Sequence, residues 1–397
     1  MTMDSFDLVI VGNGLAANRL LSELAEHSAK PSSIAVIGEE TVVAYNRILL
    51  SPLLAGDISI KQIELDIPEC IEKITTQITN TVIVEIDSSK KQLLSYEGKV
   101  ISYSKLVIAT GATPNIPKID NSNAVGVMSF RTLADVERMQ AVASAGKTAL
   151  VIGGGFLGLE AAEGLRKQGM KVTLIHRSEY ILNRQLDQVA SCMLKDELTE
   201  RGLTILTTSE LSTISTQLNK VTGATLTNGL MLDVDLIVFA TGITPRIDLA
   251  KTCSLETNKG IIVNTQLETS ISDIYALGEC IEFDGNTYGL VAPIWEQCSI
   301  LATNLCGGNK HYQEKPVATQ LKISGIDLYS FGEIDQSSDF ITYLDEEIHH
   351  YRKLWFKDEA LVGAVLYGDT SISETIAPVI NNPDHMISPK TSSLFAT

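Results

Sequence analysis

Short unbroken apolar runs alternate along this chain with stretches in which apolar residues recur every three to four positions. Leu8-Val9-Ile10-Val11 is such a run, and Leu15, Leu20, Leu21 and Leu24 follow it at helical spacing. Ile34-Ala35-Val36-Ile37 comes next. Four consecutive apolar residues suit a strand buried on both faces, and the longer period suits an amphipathic helix, so the pattern predicts a strand–helix–strand unit. The same order returns at Ala149 to Ile152, a helix through Lys167, and Lys171 to Ile175. Further buried strands are predicted in Leu106 to Gly111 and Asp235 to Gly242, each ending in Thr-Gly, and in Ile274 to Glu279, with a Gly-acid pair at its exit. Thr81 to Ile86 and Leu93 to Tyr96 read as short strands, separated by Ser88-Ser89 and closed by Gly98. Pro114 and Pro117 mark a linker. From about Pro316 the pattern shortens to strands at Gln320 to Ser324, Leu354 to Lys357 and Leu361 to Leu366, and Pro389 to Thr397 reads as frayed. The class is α/β, with two units of one kind and a small α+β tail.

Each unit carries glycines at its first turn. The first reads Gly12-Asn13-Gly14-Leu15-Ala16-Ala17 and the second Gly153-Gly154-Gly155-Phe156-Leu157-Gly158. Glycine there lets backbone approach a pyrophosphate at a helix N-terminus, and two such turns in strand–turn–helix context point to two dinucleotides. The first unit's second strand ends at Glu39, placed to accept from ribose hydroxyls, with an ordinary loop acid as the alternative. The second ends at His176-Arg177, where no acid enforces NAD; Arg177 either meets a 2′-phosphate or is a solvated surface residue. Thr110-Gly111, Thr241-Gly242 and Gly278-Glu279 close strands in a repeated manner. Pro293 opens a predicted helix through Leu305, whose positive end suits an anionic ring. Arg47, in Tyr45-Asn46-Arg47, is positioned either for an anionic ligand or as part of a plain loop. Trp295, Cys298 and Cys306 are read as packing residues, and His349-His350 lack partners at metal-ligand spacing.

Composition narrows the classes. The chain has 397 residues and a net charge of -17, from 31 basic against 48 acidic residues. Without a basic cluster, that balance argues against nucleic acid and against an anionic membrane. No apolar run reaches the length of a span, and no leader pattern is visible at Met1 to Asp7. Six cysteines are scattered without a C-x-x-C pair, which fits a reducing, cytoplasmic setting and gives no metal or disulfide framework.

Together these residues resemble the FAD-dependent pyridine nucleotide-disulfide oxidoreductase family. Three stretches, Tyr45 to Gly56, Tyr288 to Gln297 and Leu361 to Thr370, are most similar to the front FAD/NAD(P)H module of assimilatory nitrite reductase large subunits and to NAD(P)H:rubredoxin and ferredoxin reductases. The resemblance implies two Rossmann-like domains, the NAD domain inserted in the FAD domain. It places FAD on a discontinuous domain of residues 1–115 and 245–315, NADH or NADPH on residues 116–244, and an interface domain at 316–397. The cofactors the resemblance implies are FAD and NADH or NADPH. Gly12, Gly14, Ala17, Glu39, Arg47, Thr110, Gly111, Gly278, Glu279 and Pro293 fall to FAD. Gly153, Gly155, Gly158, His176, Arg177 and Gly242 fall to the nicotinamide dinucleotide.

Glu160 is the catalytic residue on this resemblance, near the contact of nicotinamide and flavin. Ferredoxin-reductase relatives pair that glutamate with a lysine at the position of Pro52, which leaves Arg47 as a substitute. Tyr45 to Gly56 contains no cysteine, so thiol chemistry at the flavin is not expected. Without the clustered cysteines of an iron–sulfur/siroheme portion, nitrite reduction by this chain itself is not expected either. The implied function is electron transfer from NAD(P)H through flavin to a separate protein. That protein is a ferredoxin- or rubredoxin-type carrier, or a nitrate or nitrite reductase subunit, and a homodimer is possible. The rivals are an NAD(P)H oxidase using oxygen and a redox-responsive flavoprotein that signals to a partner.

Overall fold

The computed structural model describes residues 4–315, 318–323, 325–332, 334, 339–358 and 360–380. They form two units. One comprises the chain up to Leu50, Ser59–Thr113 and Ile243–Glu314; the other comprises Ser51–Ile58, Pro114–Gly242 and the chain from Lys315. Residues 114–242 are therefore an insertion in the sequence of the first unit.

The first unit is built on a sheet of β1 (Asp4–Val11), β2 (Ile34–Ile37), β3 (Thr75–Ile78), β4 (Ile83–Asp87), β5 (Gln92–Ser95) and β6 (Val100–Ile108) in the order β3-β2-β1-β6-β5-β4. β1 pairs in parallel with β2 (Val9 opposite Ala35) and with β6 (Val9 opposite Leu106). Besides β1, β6 serves two further neighbours: its start pairs with β5 and its end with the strand Ile274–Ala276. The apolar runs are buried as the pattern requires. Leu8, Val9, Ile10, Leu106, Val107 and Ile108 have no exposed surface. Helix α1 (Leu15–Ala25) turns Ala17, Leu20, Leu21 and Leu24 into the same core, and the helix Val291–Leu305 packs against it. The expected strand at Thr81 to Ile86 begins two residues later, at Ile83, because Thr81 and its neighbours lead in from the end of β3. The helix expected to open at Pro293 opens at Val291. Proline thus sits within the first turn, where its missing N–H has no intrahelical acceptor to lose.

The second unit holds a five-stranded parallel sheet of Thr204–Leu206, Lys171–Ile175, Thr148–Ile152, Leu236–Phe239 and Val127–Ser129, in that spatial order. An antiparallel sheet of Leu211–Gln217, Lys220–Leu226 and Met231–Asp233 adds its own apolar face. A second five-stranded sheet follows near the C-terminus, entirely antiparallel, in the order Thr319–Ile323, Ile326–Gly332, Ala360–Tyr367, His350–Lys357, Asp339–Asp345. The helix Ser373–Ile380 covers one face with the buried Ile376. Two of these strands escape the apolar pattern. Ile326–Gly332 is interrupted by Asp327 and Ser330, and Asp339–Asp345 is a half-exposed edge bounded by acids. Pro389 to Thr397 lie outside the described residues.

Candidate functional site

The two glycine turns have the same construction. Gly12 has φ +118 and Gly153 φ +122, a region that L side chains rarely adopt. A Cβ at Gly12 would stand 2.1 Å from the Ala109 carbonyl oxygen, and one at Gly153 would stand 2.2 Å from that of Ala240. Ala109 and Ala240 open the two Ala-Thr-Gly strand exits, so each exit is the wall against which its glycine turn closes. Gly158 extends the packing, since a Cβ there would meet the Gly153 oxygen at 1.8 Å. Ala17, fully buried, occupies the matching place in the first unit.

The middle glycines differ in kind. A Cβ at Gly14 or Gly155 would meet nothing within 4 Å. Each is the N-cap residue of its helix and offers no side-chain cap to the first-turn N–H groups. Those donors, facing open space, form the kind of cradle an anionic phosphate occupies. Asn13 Nδ2 is buried in the first turn with no hydrogen-bond partner among the described residues. On these observations the residues present fit a dinucleotide at each turn.

Around the first turn, Glu39 follows β2 and receives a salt bridge from Arg246. The Arg246 N–H donates to the Gly111 carbonyl at 2.9 Å, and the Thr110 hydroxyl donates to the Arg246 carbonyl at 3.2 Å. Gly278 has φ +88, and its N–H donates at 2.9 Å to Gln297 Oε1, a residue with no exposed surface on the helix that contains Pro293. Gly278-Glu279 is thereby fixed to that helix. Arg47 forms an ion pair with Glu40 and lies over the Tyr45 ring at 5.3 Å, while the Tyr45 hydroxyl donates to Glu40 at 2.8 Å.

In the second unit, the Gly154 N–H donates to His176 Nδ1 at 3.0 Å, and Leu182 N–H donates to the Gly154 carbonyl at 2.8 Å. His176 is thus built into the turn. Burial, reinforced by Arg177, holds its imidazole below the ordinary histidine range despite an opposing interaction with Asn183. The neutral ring keeps Nδ1 as an acceptor. Arg177 itself is exposed. Gly242 has φ +100, and a Cβ there would have only Asn115 Nδ2 nearby, at 3.7 Å.

Glu160 lies on the helix Phe156–Lys167, and its Oε2 accepts from the Ser51 hydroxyl at 2.6 Å. Ser51 belongs to the short helix Leu50–Ala55. Burial pushes the Glu160 carboxyl above the ordinary carboxylate range, against a smaller opposing effect from Ser51. The residue before Pro52 therefore supplies the partner that a lysine at Pro52 would have supplied. Sequence reading passed over Ser51, Arg246, Asn13 and Gln297. Ser51 lies inside the Tyr45 to Gly56 stretch, and Arg246 lies four residues beyond Gly242, but neither type in isolation signals a site.

All six cysteines are free. Cys280 and Cys298 are fully buried; burial pushes the Cys280 thiol up to about 11 and the Cys298 thiol higher still. Buried thiols in apolar surroundings are inert. Among the described residues no helix is long and apolar enough to cross a membrane.

Comparison with known proteins agrees with this construction. The family described as pyridine nucleotide-disulphide oxidoreductase matches residues 6–300, and the rubredoxin NAD+ reductase C-terminal domain matches residues 316–383. The chain is 40% identical over 367 residues to the assimilatory nitrate reductase electron transfer subunit of Bacillus subtilis, covering 91% of this chain and 48% of that protein. It is 38% identical over 373 residues to a nitrite reductase [NAD(P)H] of the same organism, covering 93% and 46%. The chain thus spans about half the length of these curated relatives. The crystal structure of NADH:rubredoxin oxidoreductase from Clostridium acetobutylicum superposes with a TM-score of 0.78 at 27% identity, covering 98% of each chain. The chain belongs to the pyridine nucleotide-disulphide oxidoreductase family and is an oxidoreductase whose cofactors are FAD and NAD(P)H.

Proposed function

We propose that this chain takes electrons from NAD(P)H and passes them through FAD to a separate redox protein. The acceptor is an iron–sulfur or rubredoxin-type carrier, or the catalytic part of an assimilatory nitrate or nitrite reductase. The observation that carries the reading is the pair of matched turns, each with one glycine closed against a strand exit and one open to a ligand. The absence of a thiol in Tyr45 to Gly56, together with the inert buried cysteines, supports electron transfer over disulfide chemistry. Names of the relatives support the acceptor class, and cytoplasm is the proposed location.

When bound, FAD supplies the conversion of a two-electron hydride donor into single electrons for the acceptor. The chain's own residues bind and orient. We assign FAD to residues 1–115 and 245–315. There Gly12, Gly14 and Ala17 shape the pyrophosphate turn, and Glu39 accepts from the ribose. Arg47, Thr110 and Gly111 line the cleft, and Gly278, Glu279 and the helix through Pro293 present its positive end. We assign NAD(P)H to residues 116–244, with Gly153, Gly155, Gly158 and Gly242 at the turn. His176 is occupied in holding Gly154, so Arg177 is the group left for a 2′-phosphate, which supports acceptance of NADPH. Glu160, held by Ser51, orients the nicotinamide.

Anaerobic stopped-flow reduction at the flavin band, with NADH and NADPH in parallel, tests this. Rapid bleaching, followed by reoxidation by rubredoxin or ferredoxin faster than by oxygen, is the expected result. Reoxidation by oxygen alone would make the chain an oxidase, and a purified folded chain that takes up no FAD would overturn the reading.

A further inference from the structure

We propose that Arg246 is a further cofactor-binding residue, a cationic strap across the first glycine turn that engages the pyrophosphate of FAD. The inference rests on the flavoprotein reading above. Its basis is where the residue begins and ends. The Arg246 backbone is fixed at the exit of β6, donating to the Gly111 carbonyl at 2.9 Å and accepting from the Thr110 hydroxyl at 3.2 Å. Its guanidinium reaches Glu39 at the exit of β2. In the sheet, β1 lies between β2 and β6, pairing in parallel with both. A side chain running from one exit to the other therefore passes over the end of β1, where the chain enters Gly12-Asn13-Gly14.

Two donors of the first unit are orphaned among the described residues, one on the strap and one in the turn it crosses. Arg246 Nε is buried without a partner among those residues, and so is Asn13 Nδ2. Buried N–H groups are normally satisfied, so these two call for an acceptor from outside the chain. The open position at Gly14 and the uncapped N-terminus of α1 call for an anion there. A diphosphate meets all of these demands, and a planar guanidinium suits its oxygens. The neighbouring acid Glu40 is already paired with Arg47, so Glu39 is the carboxylate that holds Arg246. When Glu39 turns to the ribose hydroxyls, the guanidinium exchanges a carboxylate for phosphate and keeps a charge-assisted partner throughout.

The test is FAD binding to the flavin-free full-length chain, followed by quenching of flavin fluorescence at low and high ionic strength. Arg246→Gln is expected to weaken binding by about tenfold or more at low salt, the worth of a hydrogen bond to a charged group. It should also flatten the dependence of Kd on salt, because one cation–phosphate attraction is no longer there to be screened. Arg246→Lys should keep most of that salt dependence. Arg246→Met, which retains the stem, carries the same expectation if the glutamine variant does not fold. Wild-type affinity in a folded neutral variant would overturn the proposal. So would weakened binding with an unchanged salt dependence, since the arginine would then act only by placing Glu39. A wild-type chain that binds no FAD would overturn the flavoprotein reading itself, an outcome distinct from an indifferent variant.

Discussion

Glu160 is a half-buried carboxyl held, among the described residues, by a hydroxyl rather than by a cation, and this difference has measurable consequences. An ion pair would favour the charged form, whereas partial burial with Ser51 as the partner leaves the neutral form favoured. The group's folded pKa lies above its unfolded value, so its contribution to stability is complete below the unfolded pKa and is lost as pH rises through the folded one. Glu160→Gln, which mimics the neutral acid, should therefore match wild-type stability in mild acid. It should exceed wild type progressively toward neutral pH, and urea denaturation across that range measures the difference. Ser51→Ala removes the donor to this carboxyl and should cost about 1–3 kcal/mol in the same experiment. His176 behaves with the opposite sign. Its folded pKa lies below the unfolded value, so stability is present in full above the unfolded histidine pKa and falls as pH drops through that window. Exchange of the Gly154 amide, which His176 Nδ1 accepts, should quicken in step.

At the scale of elements, the two strand–turn–helix units separate what a glycine does for the fold from what it does for a ligand. Gly12→Ala places a Cβ against the Ala109 oxygen at 2.1 Å in a positive-φ backbone, so it should destabilise by ~3 kcal/mol or more. Gly14→Ala meets no neighbour and has φ -106, so thermal melting should change little. FAD affinity should nevertheless fall, because the methyl projects where the pyrophosphate is placed. A Gly14→Ala variant that melts early would show that the turn is closed by packing alone. This separation also explains what the sequence made legible. Four-residue apolar runs could be read as buried strands because burial on both faces removes the polar alternation, and Leu8 to Val11 and Leu106 to Ile108 are so buried. Paired glycines could be read because close backbone approach excludes other residues. Ser51 and Arg246 could not, because a single hydroxyl or guanidinium acquires its role only from a partner 109 or 207 residues away in sequence.

At the scale of the molecule, the C-terminal sheet is joined to the helix Gln188–Glu200 through tyrosines that sequence periodicity does not distinguish from packing. Tyr351 donates at 2.6 Å to Asp187, and Tyr367 donates at 2.6 Å to Glu197. Both rings are essentially without exposed surface. Asp187 carries a second duty, since its Oδ1 caps the same helix by accepting from Ala190 N–H at 3.2 Å. One carboxylate thus caps the start of a helix of the inserted domain and anchors a strand of the terminal sheet. Burial, with the neighbouring carboxylates, pushes both phenols well above the ordinary tyrosine range. Their folded pKa values are raised, so the stabilisation is complete below the unfolded tyrosine pKa and is lost as pH climbs beyond it. Each of Tyr351→Phe and Tyr367→Phe leaves a carboxylate short of a donor and should cost about 1–3 kcal/mol. The two anchors are separated by about three turns of helix, so their costs should add in the double variant. Hydrogen exchange then distinguishes a local from a global role. If the tyrosines fasten the sheet to the inserted domain, amides of Ile326–Gly332 and Ala360–Tyr367 lose protection before those of Thr148–Ile152. Uniform loss across both sheets would instead mean that the inserted domain and the terminal sheet unfold as one cooperative body whose stability the two tyrosines merely raise.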